Sequence, residues 1–481
     1  MVGYLLIGVA ILLGAIILVY SAYGYGINTK TGDIVQNGLL FVDSQPGGAE
    51  IYLNGQDKGA KTASRLILTA GAYNLRLKKS GYHDWSRSFS LTEHAVSRYV
   101  YPFLFPTSPV QFNLKNYSSL PPLITQSPDR RWVLVQTPES SSGNPVFDEY
   151  DTTNLKQGSK AVSFPAGLLT GSTISGSQLK MVEWSTDNKN VLLEHIYPGG
   201  TEFVVFNRDD PTISFNVNKI FSTSPTQVTL RDKKTDQLYL YNQASQNLGV
   251  GNVSTGEVTP LLNKVLAFKP SGTDLIIYVT DQNSKAGEVT ARIWNNSQTY
   301  PLYSFAVGEH YLLDMAQYQG DWFYVAGSDK SGRVNIYKNP LDTLKNTALA
   351  KALPMTSLRQ SGADKVAFSS NTRFVEAEAG QSFAVYDFET QTSFHYTLPK
   401  ALTSNMHWMD GHRLIGNSGG TAYVTDYDST NQNTLVAVSS SDDIYFDSNY
   451  THMFSLAPAS SGVTLFDTDM RAGTDLPANQ F

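Results

Sequence analysis

The sequence predicts an all-β protein apart from one N-terminal transmembrane helix. Three observations predict it. Residues 4–20 run without a single Lys, Arg, Asp or Glu. Short alternating stretches of Val, Ile, Tyr and Phe follow, separated by Gly, Pro, Asn and Asp. From Leu123 onward a turn–strand–turn–strand unit recurs about eight times, at a spacing of ~40–50 residues.

Length and composition set the outer limits. A chain of 481 residues predicts two or three units or one large repeat array. Hydrophobic residues at 41% supply ample core, while charged residues at 16% and a net charge of −6 exclude a nucleic-acid partner. Phosphate contacts need clustered Lys and Arg, and no basic run exceeds Lys78-Lys79 or Lys233-Lys234. The 37 Gly and 21 Pro fit many short strands joined by turns. The absence of cysteine excludes disulfides, thiolate metal sites and cysteine nucleophiles.

Residues 1–25 read as a signal anchor. The apolar run approaches the roughly 20 residues, ~30 Å as a helix, that a hydrocarbon core requires. It is longer than the h-region of a cleaved signal peptide and lacks a basic n-region, although Ala22-Tyr23-Gly24 has cleavage-site spacing. Tyr20, Tyr23 and Tyr25 suit an interfacial belt. Lys30 is the first nearby cation and by itself favours a cytoplasmic C-terminus. The β-rich cargo outweighs it and places the bulk of the chain outside the cell membrane.

Residues 26–38 are then a polar linker, and residues 39–106 a small antiparallel β domain. Leu39–Val42 is its first strand, and Ser44 to Ala49 a turn. Glu50–Leu53 runs into Asn54-Gly55, a strong hairpin signal. Arg65–Leu68 and the strictly alternating Ala72–Lys78 follow, and Tyr99–Pro106 reads as an aromatic last strand. Strict alternation implies one buried and one wet face. Ser44-x-Pro46-Gly47-Gly48-Ala49-x-Ile51-x-Leu53-Asn54-Gly55 and Gly71-x-Tyr73-x-Leu75-x-Leu77-x-Lys79-x-Gly81-Tyr82 together resemble a PEGA domain. Gly47 stands where that family has Glu. The resemblance implies a small β domain of prokaryotic surface proteins, with attachment or carbohydrate contact as its role and no catalytic residues. Pro46, Gly47 and Gly48 read as a turn, and Tyr82 and Trp85 as core cover. If Trp85 were instead exposed, its position beside His83 and Asp84 would make it the ligand candidate.

Residues 107–122 are a second linker. Residues 123–481 carry the repeat. Its clearest instances are Ser127-Pro128-Asp129 before Trp132–Val135, Trp184 to Asn190 before Val191–Leu193, and Phe268 to Thr273 before Leu275–Tyr278. Looser copies start near Asp232, Gly320, Ser369, Asp410 and Asp447. Second strands recur at Phe203–Phe206, Thr290–Trp294, Val334–Tyr337, Phe383–Asp387, Thr421–Asp426 and Val463–Asp467. Such units fit four-stranded propeller blades, which must stack because none buries both faces alone. The Ser-Pro-Asp and Phe-x-Pro-Ser-Gly forms are similar to the WD-like repeats of the Tol-system periplasmic propeller. Eight blades are expected, or seven if Gly143 to Leu179 is an irregular insertion.

Motifs for chemistry are scarce. Gly416-Asn417-Ser418-Gly419-Gly420 matches G-x-S-x-G, but strands flank it on both sides, so it reads as a hairpin turn and not a nucleophile elbow. His407 and His412 near Asp410 form the closest histidine cluster, with a surface or hydrogen-bonded role. Asp426 to Asn431 and Asp467-Thr468-Asp469 resemble calcium loops without the glycine and distal glutamate of the full motif. No catalytic, cofactor or metal residues are assigned, and no cofactor is expected. The sequence predicts a membrane-anchored, envelope-facing binding or scaffold protein with a protein or glycan partner, and not an enzyme. The alternatives are a propeller-type glycan lyase or hydrolase and a surface-layer component.

Overall fold

The computed structural model describes residues 2–22, 24–27, 34–138, 143–171, 176–346, 351–439 and 444–475. The chain divides into two compact units. One comprises Met1–Val110, Thr430–Leu435 and Asp469–Phe481, and the other Gln111–Ser429 and Val436–Thr468.

The first unit begins with a helix over Val2–Ala22. Leu6, Ile7, Val9, Ile11, Leu12 and Leu13, then Ile16 to Val19, are all exposed. At 100° per residue these positions take in every side of the helix, so no apolar face is covered. The side chains of Val2, Leu5, Ser21 and Ala22 lie outside the described residues, and among the described residues no helix is long and apolar enough to cross a membrane. Tyr23 and Lys30 also lie outside them.

Two four-stranded sheets follow. Ile34–Val42 pairs with Tyr25–Ile27 and Ser64–Thr69, and runs parallel to Val96–Tyr99. The second sheet is ordered Gln56–Lys61, Glu50–Leu53, Gly71–Lys78, Trp85–Leu91. Between the strands Glu50–Leu53 and Gln56–Lys61, Asn54 and Gly55 take φ of 51° and 81°, the left-handed pair a tight hairpin needs. The core joins Leu40, Val42, Ile51, Leu53, Leu75, Leu77, Tyr82 and Trp85. Two expectations need correction. Residues 34–38, assigned to the linker, belong to a strand, because Tyr25–Ile27 is close enough in sequence to pair with it. The expected aromatic strand ends at Tyr99. Beyond it Phe103 and Pro106 make only isolated bridges, to Gln45 and Tyr82.

The second unit supplies eight four-stranded antiparallel sheets among the described residues. Seven use consecutive strands, from Ile124–Gln126 in the first sheet to Asn433–Ala437 in the seventh. The eighth takes three strands from Ile444–Phe446, His452–Ala459 and Gly462–Asp469, and its fourth from Val110–Tyr117. Residues 110–117, expected as linker, are therefore a sheet strand. Thr464 donates to Asn116 at 2.6 Å across this seam. Sheet-crossing cores link neighbours: Leu134 and Phe147 of the first sheet pack with Leu193 and Phe206 of the second. Val133 and Tyr150 of the first pack with Phe454 and Leu456 of the eighth, together with Tyr117. The first and last sheets thus share a core. Part of the stretch 143–179 belongs to the array: Val146–Asp151 and Lys160–Ser163 are the third and fourth strands of the first sheet. Residues 172–175 lie outside the described set.

The recurring turns have one chemistry. Asp129 Oδ1 accepts from Ser127 Oγ at 2.5 Å and from Arg131 N at 3.1 Å. Asp187 repeats this with Ser185 and Lys189, and Asn371 with Ser369 and Arg373. Asp410 and Asp447 likewise accept backbone N–H groups two to five residues ahead. Side-chain acceptors here satisfy the donors a tight turn leaves free.

Candidate functional site

Two places concentrate polar side chains without serving a turn: a buried carboxylate cluster in the sixth sheet and a surface groove over the second and third sheets.

The sixth sheet carries Lys365 on its first strand and Glu376 and Glu378 on its second. Glu376 and Glu378 are 0% exposed. Being two apart on a strand, they project from the same side. Lys365 Nζ donates to Glu376 Oε1 at 2.8 Å and also contacts Met406 O; it lies 3.5 Å from Glu378 Oε2. Met406 N donates to Glu378 Oε1 at 3.0 Å. Burial, then the charge of Glu376, pushes Glu378 up to about 8. Burial likewise raises Glu376, against the pull of Lys365. One ammonium beside two dry carboxyls leaves a proton on the pair at neutral pH, since a second uncompensated buried charge is costly. This is acid–base chemistry of a general-acid kind, yet none of the described cavities is lined by these residues.

The groove lies over the second and third sheets. One end is a cavity of about 390 Å³ between the hairpin joining Asn190–Tyr197 to Gly200–Asn207 and the helical turn Val217–Phe221. The other is about 650 Å³, bounded by Val258–Leu262, the outer strand of the third sheet. Thr223 lines both. In the smaller end Glu202 is 3% exposed. Burial alone would raise its carboxyl. Donation from Thr170 N at 2.6 Å, His195 at 2.8 Å, Asn216 at 2.7 Å and Thr170 Oγ1 at 2.8 Å outweighs it and keeps Glu202 below its ordinary range. Tyr197 stacks on His195 with centroids 5.2 Å apart.

The residues singled out by sequence are scattered. Trp85 is 1% exposed, so the ligand alternative for it falls: its ring is core, while His83 and Asp84 stay outside. Asp84 pairs with Arg76 and Lys78. Gly416–Gly420 spans the hairpin between Arg413–Ser418 and Thr421–Asp426, and Ser418 Oγ donates to Ala401 O at 2.8 Å. His407 and His412 are half-buried, and His412 N donates to Asp410 Oδ1 at 2.7 Å. Burial, aided by Lys365 and Arg413 respectively, lowers them to about 4 and about 3. Asp467 accepts from His452 at 2.8 Å, and Asp469 binds Arg471 at 2.8 Å. Among the described residues no group of three His, Asp or Glu could hold a metal ion.

Comparison with known proteins gives one family match. Residues 37–101 match the PEGA domain. The match covers the two-sheet part of the first unit and none of the eight-sheet array. No curated protein matches the chain. Among solved structures, a dihydro-heme d1 dehydrogenase, NirN, in complex with DHE aligns at 12% identity and a TM-score of 0.42, over 66% of either chain. An oligogalacturonate lyase in complex with manganese aligns at 9% identity and a TM-score of 0.40, over 76% of this chain and 98% of its own. A structure of U3-55K aligns at 11% and 0.37, over 75% and 98%.

Sequence reasoning missed Glu376, Glu378 and the groove. The pattern Phe374-Val375-Glu376-Ala377-Glu378-Ala379 held a signal, because a repeat's second strand is buried on both faces and acids within it must be dry. The groove had only Pro198-Gly199-Gly200 beside Tyr197.

Proposed function

We propose that the chain is a membrane-anchored, envelope-facing binding or scaffold protein, presenting its PEGA domain and an eight-bladed propeller to a protein or glycan partner. The observation that carries this reading is the helix Val2–Ala22, whose described apolar side chains are exposed on every side, with Tyr20 meeting the Tyr25 ring at 5.2 Å. A helix of that kind is stable only within a larger core or a bilayer. Counted with the four residues whose side chains lie outside the described set, its 21 residues rise ~32 Å, close to the thickness of a hydrocarbon core. The eight sheets support the blade count, with Val110–Tyr117 as the strand that closes the last blade. Membrane fractions washed in alkaline carbonate test the reading: the full chain is expected in the pellet, and a chain lacking residues 1–25 in the supernatant. Release of the full chain by carbonate would sink it.

A further inference from the structure

We propose that the groove over the second and third sheets holds a neutral polysaccharide chain, an inference that rests on the binding role above and names the partner as a glycan. Three features select this ligand class.

The first is the set of free polar groups. The side chains of Thr201, Ser222, Thr223, Ser224, Asn247 and Asn263 line the two cavities and make no hydrogen bond among the described residues. Hydroxyls and amides both donate and accept, which is what sugar hydroxyls require.

The second is charge. The larger cavity has no charged lining residue, and the smaller has only Glu202 and Lys219. Both are engaged by protein groups: Lys219 Nζ donates to Gly167 O at 2.7 Å, and both carboxylate oxygens of Glu202 accept two hydrogen bonds each. An anionic ligand would meet no uncommitted cation here, and a cationic one no uncommitted anion.

The third is the aromatic surface. A Cβ at Gly199 would stand 2.9 Å from Tyr197 Cε2, although Gly199 does not sit at a positive φ. The half-buried Tyr197 ring lies along this turn with one face stacked on His195 at 5.2 Å, so a side chain at Gly199 would displace it within the cavity it lines. Sugar C–H faces pack on such rings, while Leu261 and Leu262 offer half-buried apolar surface at the far end. Two cavities meeting at Thr223 suit several linked sugar units better than one.

The test titrates the full chain in detergent with the tetrasaccharides of N-acetylglucosamine and of mannose, read by calorimetry and saturation-transfer NMR. At least one is expected to bind saturably. Gly199→Val and Tyr197→Ala should each weaken it at least tenfold, and Ser224→Ala severalfold. Circular dichroism should show each variant folded, and the melting transition of Gly199→Val is compared with the parent because its side chain must shift the Tyr197 ring. Failure of both sugars to bind overturns the proposal. Binding that survives Gly199→Val removes the groove from it and leaves a glycan-binding protein. Carbonate release of the full chain would strike the anchoring reading alone and leave this titration unaffected.

Discussion

Replacing Glu378 with glutamine should flatten the pH dependence of stability in a stated direction and range. Glu378 is fully buried beside Glu376, and its carboxyl is raised from 4.5 to about 8. A folded-state value above the unfolded one means that the native state holds the proton more tightly. The stability from this group is therefore fully present below about pH 4.5 and is lost as pH rises through about 8. Within that window the slope is about 1.4 kcal/mol per pH unit, so moving from about pH 6 to about pH 7.5 costs ~2 kcal/mol. Glu378→Gln keeps the acceptor for Met406 N and removes the titration. Urea unfolding followed by tryptophan fluorescence measures it, and the difference between parent and variant cancels groups common to both. Trp408, whose ring N–H reaches Ala367 O at 3.3 Å, reports from the neighbouring strand. The difference should shrink by ~2 kcal/mol across that interval, with the parent losing stability relative to the variant as pH rises. Parallel profiles would refute the buried, proton-holding pair.

Trp85→Ala should destabilise the first unit by about 3–5 kcal/mol, as deletion of a fully buried indole does, seen as a lowered melting transition. Tyr117→Phe removes the hydroxyl that donates to buried Asp148 at 2.9 Å. It should cost about 1–3 kcal/mol, and hydrogen exchange should rise in Val110–Tyr117 before the other strands. Asp475→Asn loosens the segment that Lys79 and Tyr82 hold at 2.9 and 2.8 Å. The expected loss is about 1–2 kcal/mol, with earlier proteolytic cleavage near Ala472 as the readout.

How much of this was legible depended on how local the cause was. The turns at Ser127, Ser185 and Ser369 and the strands after them were plain, because Asp or Asn two residues on binds the turn's own backbone. The second and third strands were plain in several sheets, though not Gln237–Asn242 and Asn247–Asn252 of the third or Val146–Asp151 of the first. Leu275–Thr280 is buried at every position, so it reads as one apolar run. First and fourth strands were not: His407–Trp408 and Phe215–Asn216 have two residues each and no period to detect. Val110–Tyr117 was hidden for another reason. Its partner is about 350 residues away, as the 348-residue separation of Asn116 from Thr464 shows, so composition saw only a polar stretch among prolines. The groove is assembled from the second and third sheets, and Tyr197 and Thr223 carry no mark in sequence that they face one cavity.

The proposed tether would hold two β modules outside the cell. Protease added to intact cells tests it most directly, with the chain followed by antibodies to the PEGA domain and to the eight-sheet array. The account predicts that both epitopes are lost from intact cells while cytoplasmic proteins survive. Protection of both until the cells are lysed would contradict it.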